Sequence, residues 1–233
     1  MKKTIVTTSW DDGHTLDLKL AGLLKQYGIA GTLYVSPRSR ELSEVSLLSL
    51  EEVRLLSHDF EIGAHTMTHP HLTKVDENTA KQEIADSKRV IEGCIGKPVV
   101  SFCYPAGYFT RRDIALVRAL GFTYARTVKR FSFAKADEPL ASPTTVHAYQ
   151  HWSDVFSILR HGGARAFVKN YLNWDELAIS LFEKAHQKGG IFHLWGHSWE
   201  IEAKDDWKRL ERVLAYIGGR SDVTYLTNGE LEP

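Results

Sequence analysis

Predicted strands and helices alternate along the whole chain, and this alternation is the strongest constraint on its fold. Runs rich in β-branched and aromatic residues predict strands at 3–8, 29–35, 60–64, 99–103, 122–128, 191–195 and 223–226. Apolar stripes with capping or glycine stop signals predict helices at 15–27, 49–58, 78–94, 111–120, 153–159, 173–188 and 205–217. Such alternation is typical of a parallel sheet with crossover helices, which either an open doubly wound sheet or a closed barrel would satisfy.

Local signals define the ends of several elements. Ser49 and Glu52 form a capping-box pattern at the start of one helix. Asn173 is the expected cap of a later helix, and the glycine pair at 162–163 is the expected end of the short helix before it. Residues 129–150 contain two prolines and predict a long loop that carries a short strand.

Polar residues lie at the carboxyl ends of different predicted strands, and their placement favours the barrel. These residues are Asp11, Asp12, His65, Tyr104, Arg126 and His197. In a parallel barrel the carboxyl ends of the strands converge on one mouth, where catalytic groups gather. No repeat or linker divides the sequence, so we predict a single domain over residues 1–233.

The composition argues against several function classes. The 233 residues carry 29 basic and 29 acidic side chains, a balance that predicts no nucleic-acid partner and no membrane surface. Two cysteines do not make a disulfide framework. No apolar run approaches the roughly 20 residues of a membrane span, and no signal-peptide pattern follows Lys2 and Lys3, so we expect a cytoplasmic protein. Eleven histidines direct attention to metal or acid–base chemistry.

Asp11 and Asp12 are adjacent carboxylates just past the first strand. Two like charges near a core repel each other and lose solvation, so such a pair calls for a cation, a proton-transfer role or exposure. A strand-to-helix turn, helped by Gly13, is the alternative.

His65 and His69 are four residues apart, so one helical turn would bring both rings to the same side. Ordinary loop polarity before Pro70 is the alternative, and we assign His71 to the surface or a loop. Two imidazoles and the Asp12 carboxylate make a zinc-type ligand set with room for water. Asp11 would then be free to accept a proton from that water.

Four short motifs occur in order along the chain: SWDDG at 9–13, HTMTH at 65–69, FCYPAG at 102–107 and LWGH at 194–197. They resemble motifs one, two, three and five of the polysaccharide deacetylase family, also called the NodB-homology family or carbohydrate esterase family 4. The resemblance implies a distorted (β/α) barrel of about seven parallel strands with outer helices. It also implies metal-dependent hydrolysis of an acetamide or a related amide.

The resemblance also implies roles for individual residues. Asp11 would be the general base and His197 the general acid, while Asp12, His65 and His69 would hold a divalent metal, with zinc as the first expectation. The backbone N–H of Tyr104 would help to stabilise the oxyanion. The residues that we expect at the substrate are Tyr104, Pro105, Trp10, Trp195 and Arg126. For the aromatic residues, including Tyr108 and Trp199, core packing is the alternative.

The chain departs from the family pattern at two points. Cys103 stands where motif three has an arginine that orients the base. Arg126 is a candidate to supply that charge, with a purely structural arginine as the alternative, and we expect Cys103 to be a small buried residue rather than a nucleophile. The fourth motif, whose aspartate supports the acid histidine, has no clear match, and Asp154 and Asp175 are the candidates.

His193 competes with His197 for the acid role. His193 lies deeper in its predicted strand, where we expect an interior histidine, whereas His197 follows Gly196 at the strand end. We therefore predict that the protein removes an N-acetyl group from a small sugar, nucleotide sugar or glycan. The alternatives are an O-acetyl esterase, a cyclic-amide hydrolase of the allantoinase type, or a non-catalytic carbohydrate-binding protein on the same scaffold.

Overall fold

The fold is built on one curled sheet of parallel strands. A computed structural model describes residues 3–231, with residues 161–166 described by their backbone alone. The strands are β1 (Thr4–Trp10), β2 (Gly31–Val35), β3 (Glu61–Ala64), β4 (Ser101–Cys103), β5 (Tyr124–Arg126), β6 (Val146–His147), β7 (Gly190–Gly196) and β8 (Val223–Tyr225). Their order is β5-β4-β3-β2-β1-β7-β6, with β8 paired to β1, and every pairing is parallel.

The sheet curls into an incomplete barrel, which confirms the predicted distorted (β/α) barrel with seven main strands. On one edge of β1, β8 pairs with Thr4–Val6 and β2 pairs with Thr8–Trp10. On the far side, Ser142 forms a parallel bridge with Arg126, and five residues later His147 pairs with Trp195 on β7. The short strand expected within residues 129–150 is therefore the segment that spans the gap in the barrel.

Eight helices surround the sheet within the part of the chain that the structure describes. They are α1 (Asp17–Gln26), α2 (Leu50–Leu56), α3 (Glu77–Ile95), α4 (Arg111–Ala119), α5 (Val155–Leu172), α6 (Trp174–Lys188), α7 (Ser198–Ala203) and α8 (Trp207–Ile217). The predicted capping box starts α2, where the Ser49 hydroxyl accepts from the Glu52 N–H at 3.2 Å and the Glu52 carboxylate accepts from the Ser49 N–H at 2.8 Å. None of these helices is both long and apolar enough to cross a membrane.

Two helix predictions need correction, and a further helix was missed. The glycine pair at 162–163 does not end a helix, because α5 continues through it to Leu172. Each glycine costs a helix about 1 kcal/mol, but tertiary packing can override such propensities, and α5 packs against α6. Asn173 precedes α6 without capping it, since its side-chain amide donates to the Lys169 carbonyl of α5. The six-residue helix α7 lacked a periodic signal and was not predicted.

Candidate active site

Asp12, His65 and His69 converge at the carboxyl ends of β1 and β3. Asp12 Oδ1 lies 3.6 Å from His65 Nε2 and 3.4 Å from His69 Nε2, and the two Nε2 atoms are 3.1 Å apart. All three side chains are buried. The three predicted ligands therefore meet in the fold, and they form a group that could hold a metal ion.

Unusual backbone conformations shape this end of the barrel. Asp12, Thr66, His69 and Ala106 have φ values of 79°, 63°, 61° and 52°, in the left-handed region that non-glycine residues rarely adopt. Such outliers cost free energy and persist only where the surrounding structure holds them, and they cluster at functional sites. The predicted helical turn at 65–69 is wrong, since the segment is an irregular loop whose positive φ angles turn the two imidazoles towards each other.

Glu83 on α3 fixes that loop. Its Oε2 accepts hydrogen bonds from the backbone N–H groups of Met67 at 3.0 Å and Thr68 at 2.8 Å, and its Oε1 accepts from the Thr68 hydroxyl at 2.8 Å. The Thr66 hydroxyl accepts from the His69 N–H at 3.1 Å. Glu83 thus supports the histidine loop from outside the site, a role that no motif predicted.

The hydrogen bonds of His65 and Asp12 leave ligand atoms available for a divalent cation. His65 Nδ1 donates to the Cys103 carbonyl at 2.7 Å, which leaves its Nε2 lone pair facing Asp12. Burial lowers the pKa of His65 to about 4, so this ring is neutral near pH 7. The buried Asp12 Oδ1 has no hydrogen-bond partner. Ligand atoms around a tetrahedral zinc ion lie about 3.3–3.6 Å apart, close to the distances between these three donors.

Arg126 forms a buried ion pair with Asp11. Its Nη2 donates to Asp11 Oδ2, and its guanidinium also stacks over the Trp195 ring, 4.4 Å from the centroid. Burial alone would raise the pKa of Asp11, but the charges of Arg126, His65 and His197 lower it to about 2. The second oxygen, Asp11 Oδ1, has no hydrogen-bond partner. Asp11 is therefore ionised and oriented, with one oxygen free to accept a proton.

Cys103 lies beside this ion pair and is fully enclosed. Arg126 Nη2 approaches its sulfur at 2.8 Å, and Asp11 Oδ2 is 3.7 Å from the same atom. Burial raises the pKa of the Cys103 thiol well above its usual value, which disfavours the reactive thiolate. The short side chain leaves space that the longer arginine of β5 fills.

His197 follows β7 and faces both aspartates. Its Nε2 lies 3.8 Å from Asp11 Oδ2 and 3.9 Å from Asp12 Oδ2, and its Nδ1 contacts Glu200 Oε2 at 2.5 Å. Burial alone would lower the pKa of His197, but the Glu200 hydrogen bond and the aspartate charges raise it to about 9. The imidazolium form of His197 therefore persists at neutral pH.

His193 occupies the barrel interior, away from the two aspartates. Its Nε2 lies 2.8 Å from the Ser9 hydroxyl, and burial lowers its pKa to about 3. It is an interior, uncharged histidine, as its position deeper in the strand suggested.

A cleft of about 350 Å³ opens above these residues. Trp195, Trp199 and Tyr104 line it together with the aspartates and histidines. The Trp199 indole N–H also donates to Asp12 Oδ2 at 2.9 Å. Tyr108 is instead more than half exposed and packs beside His71 outside the cleft.

Three residues predicted at the substrate do not line the cleft. Trp10 is the last residue of β1, which runs two residues further than predicted, and its fully buried indole packs against Gly196 in the core. Pro105 is buried in a turn below the cleft. Arg126 is fully buried behind Asp11, so it acts on the carboxylate rather than on a bound sugar.

The Tyr104 N–H, which we expected to help stabilise the oxyanion, makes a long backbone contact in this structure. This N–H donates to the Arg126 carbonyl in the ladder between β4 and β5, at 3.5 Å. The Tyr104 ring is buried, stacks on Phe109, and donates from its hydroxyl to the Leu140 carbonyl at 2.8 Å. Tyr104 therefore helps to form the wall of the cleft through packing.

Neither candidate for the missing fourth motif supports His197. Asp154 accepts two hydrogen bonds from Arg130, at 3.0 and 2.6 Å, and Asp175 pairs with Arg212 at 2.8 Å. The carboxylate on His197 is Glu200, which sequence reasoning missed although it stands only three residues further along. Glu41 was missed as well, and its Oε2 lies 3.2 Å from His69 Nδ1.

Carboxylates and imidazoles around an open cleft at the carboxyl ends of parallel strands are typical of the active site of a (β/α) barrel enzyme. The chain belongs to the polysaccharide deacetylase family, whose model matches residues 1–125. This stretch contains the aspartate pair, the histidine loop and Cys103.

Individual relatives are distant. "Putative polysaccharide deacetylase YxkH" of Bacillus subtilis is 24% identical over 126 residues, which are 53% of this chain and 44% of that protein. A "putative polysaccharide deacetylase from Mycobacterium smegmatis" has a TM-score of 0.71 and 18% identity, over 99% of this chain and 89% of that one. A family 4 carbohydrate esterase from Streptomyces lividans, solved with acetate, has a TM-score of 0.58 and 16% identity, over 97% and 93% of the two chains. At these identities the structural likeness concerns the fold.

Proposed function

We propose that the protein is a zinc-dependent deacetylase that removes an N-acetyl group from an amino sugar or a short glycan. The observation that carries the proposal is the meeting of Asp12, His65 and His69 within 3.6 Å, with Asp11 and His197 beside them. Membership of the deacetylase family supports hydrolysis of an acetyl group. The cleft of about 350 Å³ suits a small sugar substrate.

Asp12, His65 and His69 would hold the metal. A zinc ion bound there would polarise the acetyl carbonyl and lower the pKa of a water molecule. Two imidazoles and one carboxylate are a donor set that zinc accepts, with positions left open for water and substrate. The unpartnered Asp12 Oδ1 supports this assignment, because a buried carboxylate oxygen without a partner is costly.

The proton transfers belong to the two residues beside the ligands. Asp11 accepts the proton of the attacking water on its free Oδ1, while Arg126 holds Oδ2. His197 donates a proton from Nε2 to the departing amine nitrogen, which would otherwise be a very poor leaving group. The bond between the acetyl carbon and the nitrogen breaks, so that acetate and the free amine are released.

The test compares substrate classes on protein loaded with zinc. We expect acetate release from N-acetylated chitooligosaccharides, and loss of that activity after chelation. Hydrolysis confined to acetylated xylan would favour the O-acetyl esterase, and ring opening of allantoin the cyclic-amide hydrolase. Binding of chitooligosaccharides with neither metal nor turnover would indicate a non-catalytic carbohydrate-binding protein.

Replacement of the proposed base separates catalysis from metal binding. Asp11→Asn should lower the rate by at least about 10²–10⁴-fold, the usual contribution of a general base, while bound zinc stays at the wild-type level. Acetate release and metal content would be measured on the same preparation. Wild-type turnover by this variant would contradict the assignment of Asp11 as the base.

A further inference from the structure

Glu200 joins His197 to a second histidine. Its Oε2 accepts from His197 Nδ1 at 2.5 Å and lies 3.1 Å from His147 Nε2. The Glu200 side chain is 16% exposed, so solvent competes little for the carboxylate. Burial alone would raise the pKa of Glu200, but its contacts with both histidines hold that pKa well below its ordinary value.

The local backbone explains why residue 200 can reach residue 197. His197 is the residue directly before α7, and Glu200 lies in the first turn of that helix. A separation of three residues places two side chains on the same side of a helical turn. The contact therefore depends on α7 forming, which is why the element pattern did not predict it.

His147 contacts the same oxygen, Glu200 Oε2, that accepts from His197. Its ring stacks on Trp195, with centroids 3.8 Å apart and planes 4° from parallel, and its Nδ1 lies 2.7 Å from His151 Nε2. Burial lowers the pKa of His147 to about 3, so the ring is neutral and can direct one N–H towards Glu200. Residues from β6, β7 and α7 thus meet around a single carboxylate.

We propose that Glu200, held in place by His147, is the positioning residue of His197 and replaces the aspartate of the missing fourth motif. The carboxylate accepts from the Nδ1–H of His197 and so orients the ring with its Nε2–H towards the cleft. Glu200 itself touches no reacting atom and acts through His197. This inference rests on the proposed deacetylase function.

The first experiment uses two leaving groups. Glu200→Gln keeps the size of the side chain and removes its charge. We expect kcat on N-acetylated chitooligosaccharides to fall by about 10²-fold or more, because amine departure needs the proton of His197. Hydrolysis of p-nitrophenyl acetate should fall by less than about threefold, because p-nitrophenolate leaves without a proton. Equal losses on both substrates would overturn the inference.

Glu202→Gln is the matched control on the same helix. Glu202 is exposed and pairs with Lys19 at 3.5 Å, away from His197. Both activities of this variant should stay at the wild-type level. His147→Phe keeps the flat ring on Trp195 and removes the contact with Glu200, and it should reproduce the selective loss in weaker form, at about tenfold on the amide substrate. An unchanged amide rate in His147→Phe would contradict the role of His147.

A second readout does not depend on turnover. Nitrogen-15 NMR of the histidine side chains, assigned with His197→Asn, should show a strongly hydrogen-bonded Nδ1–H on His197 that disappears in Glu200→Gln. If the wild type releases acetate from no substrate, the proposed function fails while this spectrum still tests the hydrogen bond. An unchanged His197 signal in Glu200→Gln would overturn the inference. So would a second equivalent of zinc that is lost in both Glu200→Gln and His147→Phe, because the cluster would then hold a cation.

Discussion

Arg126 on β5 and Asp11 after β1 form a buried ion pair, although 115 residues separate them in the chain. The guanidinium crosses the space beside Cys103 on β4, where the family resemblance places an arginine. The positive charge beside Asp11 thus comes from β5, the strand next to β4. The short cysteine side chain leaves room for it, so the substitution at 103 and the arginine at 126 explain each other.

Loss of the guanidinium should leave a buried carboxylate without its counter-charge. We expect Arg126→Met to lower the free energy of unfolding by about 3–5 kcal/mol, because breaking a buried pair strands the remaining charge. Chemical denaturation of the metal-free protein measures this. The double variant Asp11→Asn with Arg126→Met should be less destabilised than Arg126→Met alone. Additive losses would show that the two side chains are not coupled.

Metal binding should distinguish two histidines that lie two positions apart. His69→Ala removes one of the three donors and should weaken zinc affinity by at least about 10²-fold, more than the loss of a supporting hydrogen bond would. His71→Ala should leave zinc affinity unchanged, because His71 packs beside Tyr108 outside the ligand group. Competition titration with a chromogenic chelator measures both affinities. Equal affinities in the two variants would refute the ligand assignment.

The loop support from α3 gives a separate prediction. Glu83→Gln replaces a charged acceptor of two backbone N–H groups, at Met67 and Thr68, by a neutral one. We expect zinc affinity to fall by about 10–100-fold, the usual effect of losing a group that orients a ligand. Glu77→Gln, at the exposed start of the same helix, is the control and should bind zinc as the wild type does. Wild-type zinc affinity in Glu83→Gln would mean that other contacts hold the histidine loop.

Asp17 should make stability depend on pH in an unusual direction. It is fully buried at the start of α1, and neither carboxylate oxygen has a hydrogen-bond partner. Burial, with the nearby charges of Asp12 and Asp11, raises the pKa of Asp17 from 3.8 to about 8. The folded state therefore keeps a proton that the unfolded chain loses above about pH 4, and its stability falls as pH rises towards 8.

Asp17→Asn removes this titration and keeps the shape of the side chain. Relative to the variant, the metal-free wild type should lose about 1.4 kcal/mol of unfolding free energy per pH unit between about pH 5 and pH 7. Urea unfolding at several pH values, with a chelator present, measures the difference. Parallel stability profiles would mean that Asp17 titrates normally.

The pattern of residues along the chain predicted much of the fold and the centre of the candidate site. Seven of the eight strands were predicted from their runs of β-branched and aromatic residues, and the eighth lies within the long loop that was expected to carry one. The barrel followed from the polar residues at the strand ends. Asp12 follows β1, and the motif of His65 and His69 follows β3. Only β2 lies between these two strands in the sheet, so the three residues could be grouped.

Other features depended on side-chain direction, which local patterns do not contain. β1 runs two residues further than predicted, and Trp10 at its end lies in the core. The turn at 105–107 buried Pro105, and the ladder between β4 and β5 occupied the Tyr104 N–H. Each outcome depends on register, and a small shift in register changes which face a side chain occupies.

The sequence by itself determined the alternation of strands and helices, the family, and which aspartates and histidines form the metal-type cluster. Only the tertiary structure decided which partners complete them: Arg126 for Asp11, Glu83 for the histidine loop, and Glu200 with His147 for His197. Short motifs encode the ligand cluster because each backbone turn that shapes it lies within one motif. The contacts of Arg126, Glu83 and His147 join side chains from different elements, so they arise only when the sheet curls and brings those elements to one mouth. The contact of Glu200 with His197 arises when α7 forms.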